Sequence, residues 1–245
     1  MSLKIKLLGT GVGIPQPERS QSSLVIQNEL PLLFDCGAGT LLRLSEAGIN
    51  IRDIDTIILS HLHLDHTLDI LALANARYLL QLNGLEVYGP TGTDLWVRTM
   101  HNAYPYLEKI QFHVQELRPQ ESIFLKGLMI TTEETIHSVP ALGFRIESDH
   151  KAAVYSGDTE PSSKIARMAE GADLLIHECS FPEPFKVTNH TTPIKLGSLL
   201  RDVHRVVLTH LYPETQGLEH EMALDFQKVS GIHADIGRDL QTIVV

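Results

Sequence analysis

Ser60-His61-Leu62-His63-Leu64-Asp65-His66-Thr67 follows directly on the apolar run Thr56-Ile57-Ile58-Leu59. Four strong metal ligands thus fall within six residues. A short β-branched and aliphatic run reads as a buried strand, so the cluster stands where a strand runs out into a loop. Neutral imidazole and carboxylate are ligands that Zn²⁺ accepts, together with thiolate. Three histidines and an aspartate this close would be costly to hold together without a cation. A polar surface turn is the plain alternative, and the preceding strand weighs against it.

The chain around this run has 245 residues, 43% of them hydrophobic, enough for one large α/β domain or two small ones. No apolar stretch reaches the roughly 18–20 residues that span a bilayer. The N-terminal Met1-Ser2-Leu3-Lys4-Ile5-Lys6 alternates as a strand does and lacks the apolar centre of a signal peptide. Cys36 and Cys179 are the only cysteines. They do not suggest a disulfide framework, and each reads as a small buried residue. The expectation is a cytoplasmic protein with no membrane partner. The formal net charge of −10 weighs against strong non-specific nucleic-acid binding, which runs on Lys/Arg–phosphate contacts. It leaves room for a local basic patch.

Working outward, the pattern predicts strands at 4–8, 23–27, 32–35, 56–60 and 85–88, then a run of them at 111–116, 122–125, 128–135, 141–147 and 152–156. Further strands are predicted at 174–178, 205–209 and 241–244. Helices are predicted at 40–47, 67–82, 91–103, 162–169, 193–201 and 219–229. Thr91 and Thr192 are candidate N-caps, with Pro193 at the first helical position. No linker or low-complexity segment divides the chain, so residues 1–245 are read as a single domain. Two β-then-helix halves imply an α/β fold of two sheets packed face to face with helices outside.

One loop cannot complete two metal sites. His137, Asp158 and His210 each stand at the end of a predicted strand, where side chains from distant sequence converge. A carboxylate has two oxygens and can bridge two cations. The assignment is His61, His63 and His137 to one metal, Asp65, His66 and His210 to the other, and Asp158 shared. Two divalent cations roughly 3.5–4 Å apart hold a bridging hydroxide near neutral pH, able to attack phosphorus or a carbonyl carbon. Asp65 counts both as a ligand and as a catalytic carboxylate. No GxSxG elbow is present. Zn²⁺ is favoured by the imidazole-rich set, and Mn²⁺ or Fe²⁺ fits the same ligands.

The HxHxDH run and the ligands downstream of it resemble the metallo-β-lactamase superfamily. Leu8-Gly9-Thr10-Gly11-Val12-Gly13-Ile14-Pro15 with Arg19 and Ser22-Ser23 is similar to the opening of the ribonuclease Z-like branch. So are Phe34-Asp35-Cys36-Gly37-Ala38-Gly39-Thr40, Ser156-Gly157-Asp158-Thr159, His177-Glu178-Cys179-Ser180-Phe181 and Leu208-Thr209-His210. The resemblance implies a four-layer αββα sandwich with the metals at one edge. It also implies a homodimer, and a catalytic His190 that protonates the leaving oxygen with an acidic partner. Glu178 is the candidate partner, and the sequence does not place the two together. Ribonuclease Z carries a long arm between the third ligand histidine and the bridging aspartate, used to grip tRNA. Here only 21 positions separate His137 from Asp158, filled by two strands and the turn Ser148-Asp149-His150-Lys151. No arm fits, so a small phosphodiester or a short RNA is the expected substrate of a phosphodiesterase.

Lactone, ester or thioester hydrolysis on the same centre is an alternative, and a catalytically silent metal-binding protein is another. Asp35 and Asp69 read as structural, fixing the loop that carries the ligands. His177 is either core or a support for a ligand. Gly9 to Gly13 lacks the G-x-G-x-x-G spacing and runs into Pro15, which argues against a dinucleotide site. Arg19, Arg145 and Lys186 are the cations to look for beside the pocket. The remaining histidines carry no pattern.

Overall fold

Central strands buried at every position, with successive side chains turned to opposite faces, build two sheets and three apolar layers. The computed structural model describes residues 2–82 and 84–245. One sheet is made of β1 (Lys4–Gly9), β2 (Ser23–Ile26), β3 (Leu32–Phe34), β4 (Thr56–Ile58), β5 (Leu85–Gly89) and β6 (Phe112–Glu116). The other is made of β7 (Ser122–Leu125), β8 (Leu128–Glu134), β9 (Leu142–Ser148), β10 (Lys151–Tyr155), β11 (Leu174–Glu178), β12 (Val206–Thr209) and β13 (Ala234–Ile236). In each sheet these strands lie side by side in chain order. The last strand, β14 (Thr242–Val244), returns to the first sheet and pairs antiparallel with β1, Ile5 opposite Ile243. The helices are α1 (Thr40–Glu46), α2 (Leu64–Thr67), α3 (Ile70–Leu79), α4 (Thr93–Ala103), α5 (Ser163–Met168), α6 (Pro193–Leu199) and α7 (Glu219–Ser230). None of them is long and apolar enough to cross a membrane.

Period-two alternation assigns each side chain to a layer. Ile5, Leu7, Phe34, Ile58, Phe144, Tyr155, Ile176 and Val207 meet between the sheets. The Phe34 ring packs edge-on against Phe144 at 5.4 Å and against Tyr155 at 6.4 Å. Val154, Leu175, Val206 and Leu208 point the other way, onto Ala166 of α5, Leu196 of α6 and Phe226 of α7. Val25, Leu33, Ile57 and Val87 face Leu44 of α1 and Leu73 of α3. The result is the expected αββα sandwich. Each fully buried Leu, Ile or Phe stabilises it by about 1.5–3 kcal/mol.

Strand direction creates the working edge. β10, β11 and β12 run parallel, and β8 shares their direction because antiparallel β9 separates it from β10. Their C-terminal ends therefore open on one side. β4 of the other sheet reaches the same side, where the Leu142 N–H donates to the Ser60 carbonyl at 2.9 Å.

Local differences from the sequence expectation have tertiary causes. The helix predicted over 67–82 starts earlier, at Leu64, and breaks into α2 and α3. The break falls at Asp69, whose N–H donates to the Cys36 carbonyl at 2.9 Å rather than back along its own helix. Its carboxylate accepts from the N–H groups of Gly39 and Leu41 at 3.1 and 3.0 Å. Thr91 is not the N-cap of α4: Gly92 holds that position at φ 103°, and Glu116 accepts from the N–H groups of Gly92 and Asp94. Thr192 does precede Pro193, but its hydroxyl donates to Glu183 at 2.6 Å instead of capping the helix. β13 escaped the sequence reading because, of its three residues, only Ala234 is buried.

Two glycines allow the edge to close. A Cβ on Gly37 would lie 2.0 Å from the Asp65 carbonyl oxygen. Gly157, at φ +57°, leaves no room either: a Cβ there would lie 2.8 Å from that of Ser60 and 2.9 Å from the Leu142 oxygen. Gly157→Ala is expected to cost about 1–3 kcal/mol of stability through strain and overpacking. Urea unfolding tests this; an unchanged midpoint would mean that the two sheets are not held in contact here.

Candidate metal centre

The strand β4 ends against a buried carboxylate. Asp35, fully buried just after β3, accepts from the Ser60 N–H at 2.7 Å, the Ser60 hydroxyl at 2.8 Å, the Tyr155 hydroxyl at 2.6 Å and His66 Nδ1 at 2.8 Å. His63 is extended at the head of α2, and the helix turns Asp65 and His66 back toward the strand. The Cys36 N–H donates to the His66 carbonyl at 2.8 Å, tying that turn to the Asp35 segment.

These bonds set the imidazole tautomers. Ser60 donates to Asp35, so its oxygen accepts from His61 Nδ1 at 3.0 Å. His66 Nδ1 donates to Asp35. His137 Nδ1 donates to the Asn189 carbonyl at 3.0 Å. Ser180 donates to Glu178 at 2.8 Å and accepts from His210 Nδ1 at 3.0 Å. Four rings thereby keep a proton on Nδ1 and turn Nε2 inward.

Those atoms converge in two sets. His61 Nε2 lies 3.0 Å from His63 Nδ1, which lies 3.1 Å from His137 Nε2. Nitrogens sharing a Zn²⁺ at about 2.0–2.1 Å stand a little over 3 Å apart. Asp65, His66 and His210 form the second set. The Asp158 carboxylate lies between the sets, 3.7 Å from His61 Nε2, 4.0 Å from His137 Nε2, 3.5 Å from His66 Nε2 and 3.2 Å from His210 Nε2. The buried Nε2 atoms of His66 and His210 have no hydrogen-bond partner. Unpaired buried nitrogens beside a carboxylate are what a cation satisfies, and the donor set fits a divalent metal.

The electrostatics agree. Burial, reinforced by the neighbouring His66, pushes His61 well below the ordinary histidine range, so its ring stays neutral as a ligand must. Burial opposes charge on Asp158, but His210 and His66 hold its carboxyl well below the usual range. Burial also works against Asp65, and its contact with His210, at 3.4 Å, outweighs that. Burial likewise disfavours charge on His66, yet Asp158 and Asp35 on either side raise it well above the ordinary value, so without a cation the ring holds a proton on each nitrogen, and a metal would displace the one on Nε2.

Beside the cluster, His190 Nδ1 faces Glu178 Oε1 at 3.6 Å, the pair that the sequence did not bring together. Burial lowers the His190 pKa, but Glu178 more than compensates and raises it. Tyr212 Oη stands 3.5 Å from His190 Nε2, and burial with the nearby carboxylates pushes its pKa up to about 12. His177 alternates away from Glu178 along β11; its Nδ1 donates to the Glu178 carbonyl at 2.6 Å, outside the metal-ligand groups. Arg19 is committed to the Thr10 hydroxyl and the Gly237 carbonyl, and Arg145 to Glu147 and the carbonyls of Met168 and Glu170. Lys186 is exposed. Sequence reasoning passed over Ser60, Tyr155, Ser180 and Tyr212. Ser60 and Ser180 flank recognised residues and carried that weak signal; Tyr155 and Tyr212 carried none.

Residues 3–230 match the family described as Anti-Pycsar protein Apyc1. Ribonuclease Z of Mycobacterium bovis is 32% identical over 195 residues, covering 71% of this chain and 69% of that protein. Ribonuclease Z of Methanosarcina acetivorans is 27% identical over 266 residues, covering 85% and 87%. Among solved structures, the metallo-β-lactamase fold protein YhfI from Bacillus subtilis superposes with a TM-score of 0.88 at 25% identity, covering 100% of both chains. The short form of human tRNase Z superposes with a TM-score of 0.78 at 24% identity, covering 98% of each.

The Asp35 network has a direct test. Asp35→Asn keeps the shape but turns an acceptor into a donor facing Ser60, His66 and Tyr155. The expected loss is about 1.5–3 kcal/mol of stability in the metal-free protein, with about 10–100-fold weaker metal affinity. Urea unfolding and metal titration read the two effects; wild-type values in both would remove Asp35 from its organising role.

Proposed function

We propose that this chain, which belongs to the Anti-Pycsar protein Apyc1 family and to the ribonuclease Z-like branch of the metallo-β-lactamase superfamily, is a two-cation phosphodiesterase for small substrates. The chain is a metal-dependent hydrolase acting on phosphodiesters. In the same proposal the chain holds two cations on the residues named below, takes small substrates, and works as a homodimer in the cytoplasm.

The observation that carries it is Asp158 standing within 3.2–4.0 Å of four inward nitrogens. In this reading His61, His63 and His137 hold one cation, Asp65, His66 and His210 the other, and Asp158 both. Zn²⁺ suits the donor set best. When bound, such a pair supplies an activated water at neutral pH and positive charge toward the phosphoryl oxygens.

The chain's own residues do the rest. Asp65 and Asp158 balance the positive charge, and both carboxyls are already held ionised. Glu178, itself held by the Ser180 N–H and hydroxyl, keeps a proton on His190. His190 would then give its Nε2 proton to the leaving oxygen while its Nδ1 proton stays toward Glu178. A small substrate is supported by the short path from His137 to Asp158. β9 and β10 join through Asp149 and His150 alone, with Ser148 paired to Lys151. The net charge of −10 and the commitment of Arg19 and Arg145 point the same way.

His63→Ala and Asp158→Ala should each abolish hydrolysis of bis(p-nitrophenyl) phosphate while circular dichroism stays native, and the wild-type chain should carry two metals by elemental analysis. Activity surviving in both variants defeats the reading. His190→Ala has a different signature. p-Nitrophenolate leaves without a proton, so that ester should be nearly spared, whereas a dinucleotide with an alkoxide leaving group should slow by about 10²–10⁴-fold. In the wild type, the dinucleotide rate should fall as pH rises through the raised His190 pKa, because the acid form is then lost. Equal effects of the variant on both esters would rule out a general acid.

A further inference from the structure

Three aromatic rings stand beside the metal centre without a role in it. Phe181 and Phe185 lie on the loop after β11, and Tyr212 follows His210 after β12. Phe181 stacks on Tyr212 with ring centres 4.3 Å apart and planes 30° from parallel. Phe185 stacks on Phe181 at 5.6 Å and 25°. The row begins at the candidate ligands: Tyr212 is 6.0 Å from the His210 ring and 5.5 Å from the His190 ring.

Packing does not explain the row. None of the three rings joins any of the three apolar layers. Phe185 is 42% exposed, and Phe181 and Tyr212 are half-buried. Yet the backbone beneath them is braced. The Tyr212 N–H donates to the Ser180 carbonyl and the Phe185 N–H to that of Pro182. Glu183, between the two phenylalanines, accepts from the Thr192 hydroxyl at 2.6 Å and the Ile194 N–H at 3.3 Å. Aromatic area held in place at a water-facing edge has little ordering entropy left to lose on binding.

We propose that Phe181, Phe185 and Tyr212 form a ledge that stacks the heterocyclic base of a nucleotide whose phosphodiester lies at the metal centre. The proposal rests on the phosphodiesterase reading above. The ring-to-ring step from His210 to Tyr212 puts the ledge within one nucleoside's reach of the Asp158 carboxylate. Phenylalanine offers a π face and no hydrogen-bonding group, so the ledge selects for the presence of a base more than for its identity.

Two esters with the same leaving group separate the ledge from the chemistry: thymidine 5′-(p-nitrophenyl phosphate) and methyl p-nitrophenyl phosphate. Metal-loaded wild-type protein should prefer the thymidine ester in kcat/KM. Phe185→Ala and Phe181→Leu should lower that preference by about 5–100-fold and leave the methyl ester unchanged. Binding supplies a readout that needs no turnover. By calorimetry, adenosine 5′-monophosphate should bind the wild type more tightly than ribose 5-phosphate, and Phe185→Ala should erase the difference. If neither ester is hydrolysed but this binding difference holds, the phosphodiesterase reading fails and the ledge stands. An intact preference in both variants, equal losses on both esters, or an altered sedimentation coefficient in Phe185→Ala would assign the rings to packing or self-association and overturn the proposal.

Discussion

A single buried carboxylate underlies the geometry of the site. Asp35 accepts from Ser60, His66 and Tyr155, and through Ser60 it reaches His61. The bond to His66 and the relay through Ser60 to His61 decide which nitrogen of each ring faces inward. Removing a charge-accepting partner from such a network leaves several buried donors unsatisfied at once, which is why one residue matters this much. Asp35 itself stands at a positive φ of 54°, a conformation that aspartate tolerates better than most residues. The network spans both sheets, since Asp35 follows β3 while Tyr155 ends β10. Sheet packing and ligand orientation are therefore one problem.

The two sheets divide the labour. The first contributes a single contiguous segment, His61 to His66, on the turn after β4. The second contributes ligand candidates one at a time, from the ends of β8, β10 and β12. Contiguous ligands are cheap to order because one short loop fixes them; dispersed ligands are ordered only when the sheet is complete. The inter-sheet layer around Phe34, Phe144 and Tyr155 sets the distance between the two groups. Its rigidity is what allows Asp158 to lie among four histidine rings rather than swing clear of them.

Around this centre the polar and aromatic groups are graded. The nitrogens that face Asp158 are buried. One step outward, Glu178 and His190 are paired with their inner atoms otherwise unbonded. A further step outward, Tyr212, Phe181 and Phe185 present carbon surface. Buried charge, an ionisable pair and aromatic surface succeed one another from interior to rim, an order that suits a ligand with an anionic end and an apolar end.

The sequence by itself determined the class of fold and the identity of the ligand candidates. Short apolar and β-branched runs bounded by turn residues are legible segment by segment, and His61-Leu62-His63-Leu64-Asp65-His66 is local information. The break at Asp69, the capping of α4 by Glu116 and the strand β13 were not legible, because each depends on a partner at least 22 residues away in sequence or on a neighbouring strand's edge. The same holds for the site. His137, Asp158 and His210 could be named from their strand ends. Only the tertiary structure decided that Asp158 sits between the two sets, that Glu178 rather than His177 faces His190, and that Arg19 and Arg145 are taken up by backbone carbonyls. Alternation fixes which face a side chain takes, whereas its partners there are fixed by how two sheets close on each other, and that is a property of the packed chain rather than of any one segment.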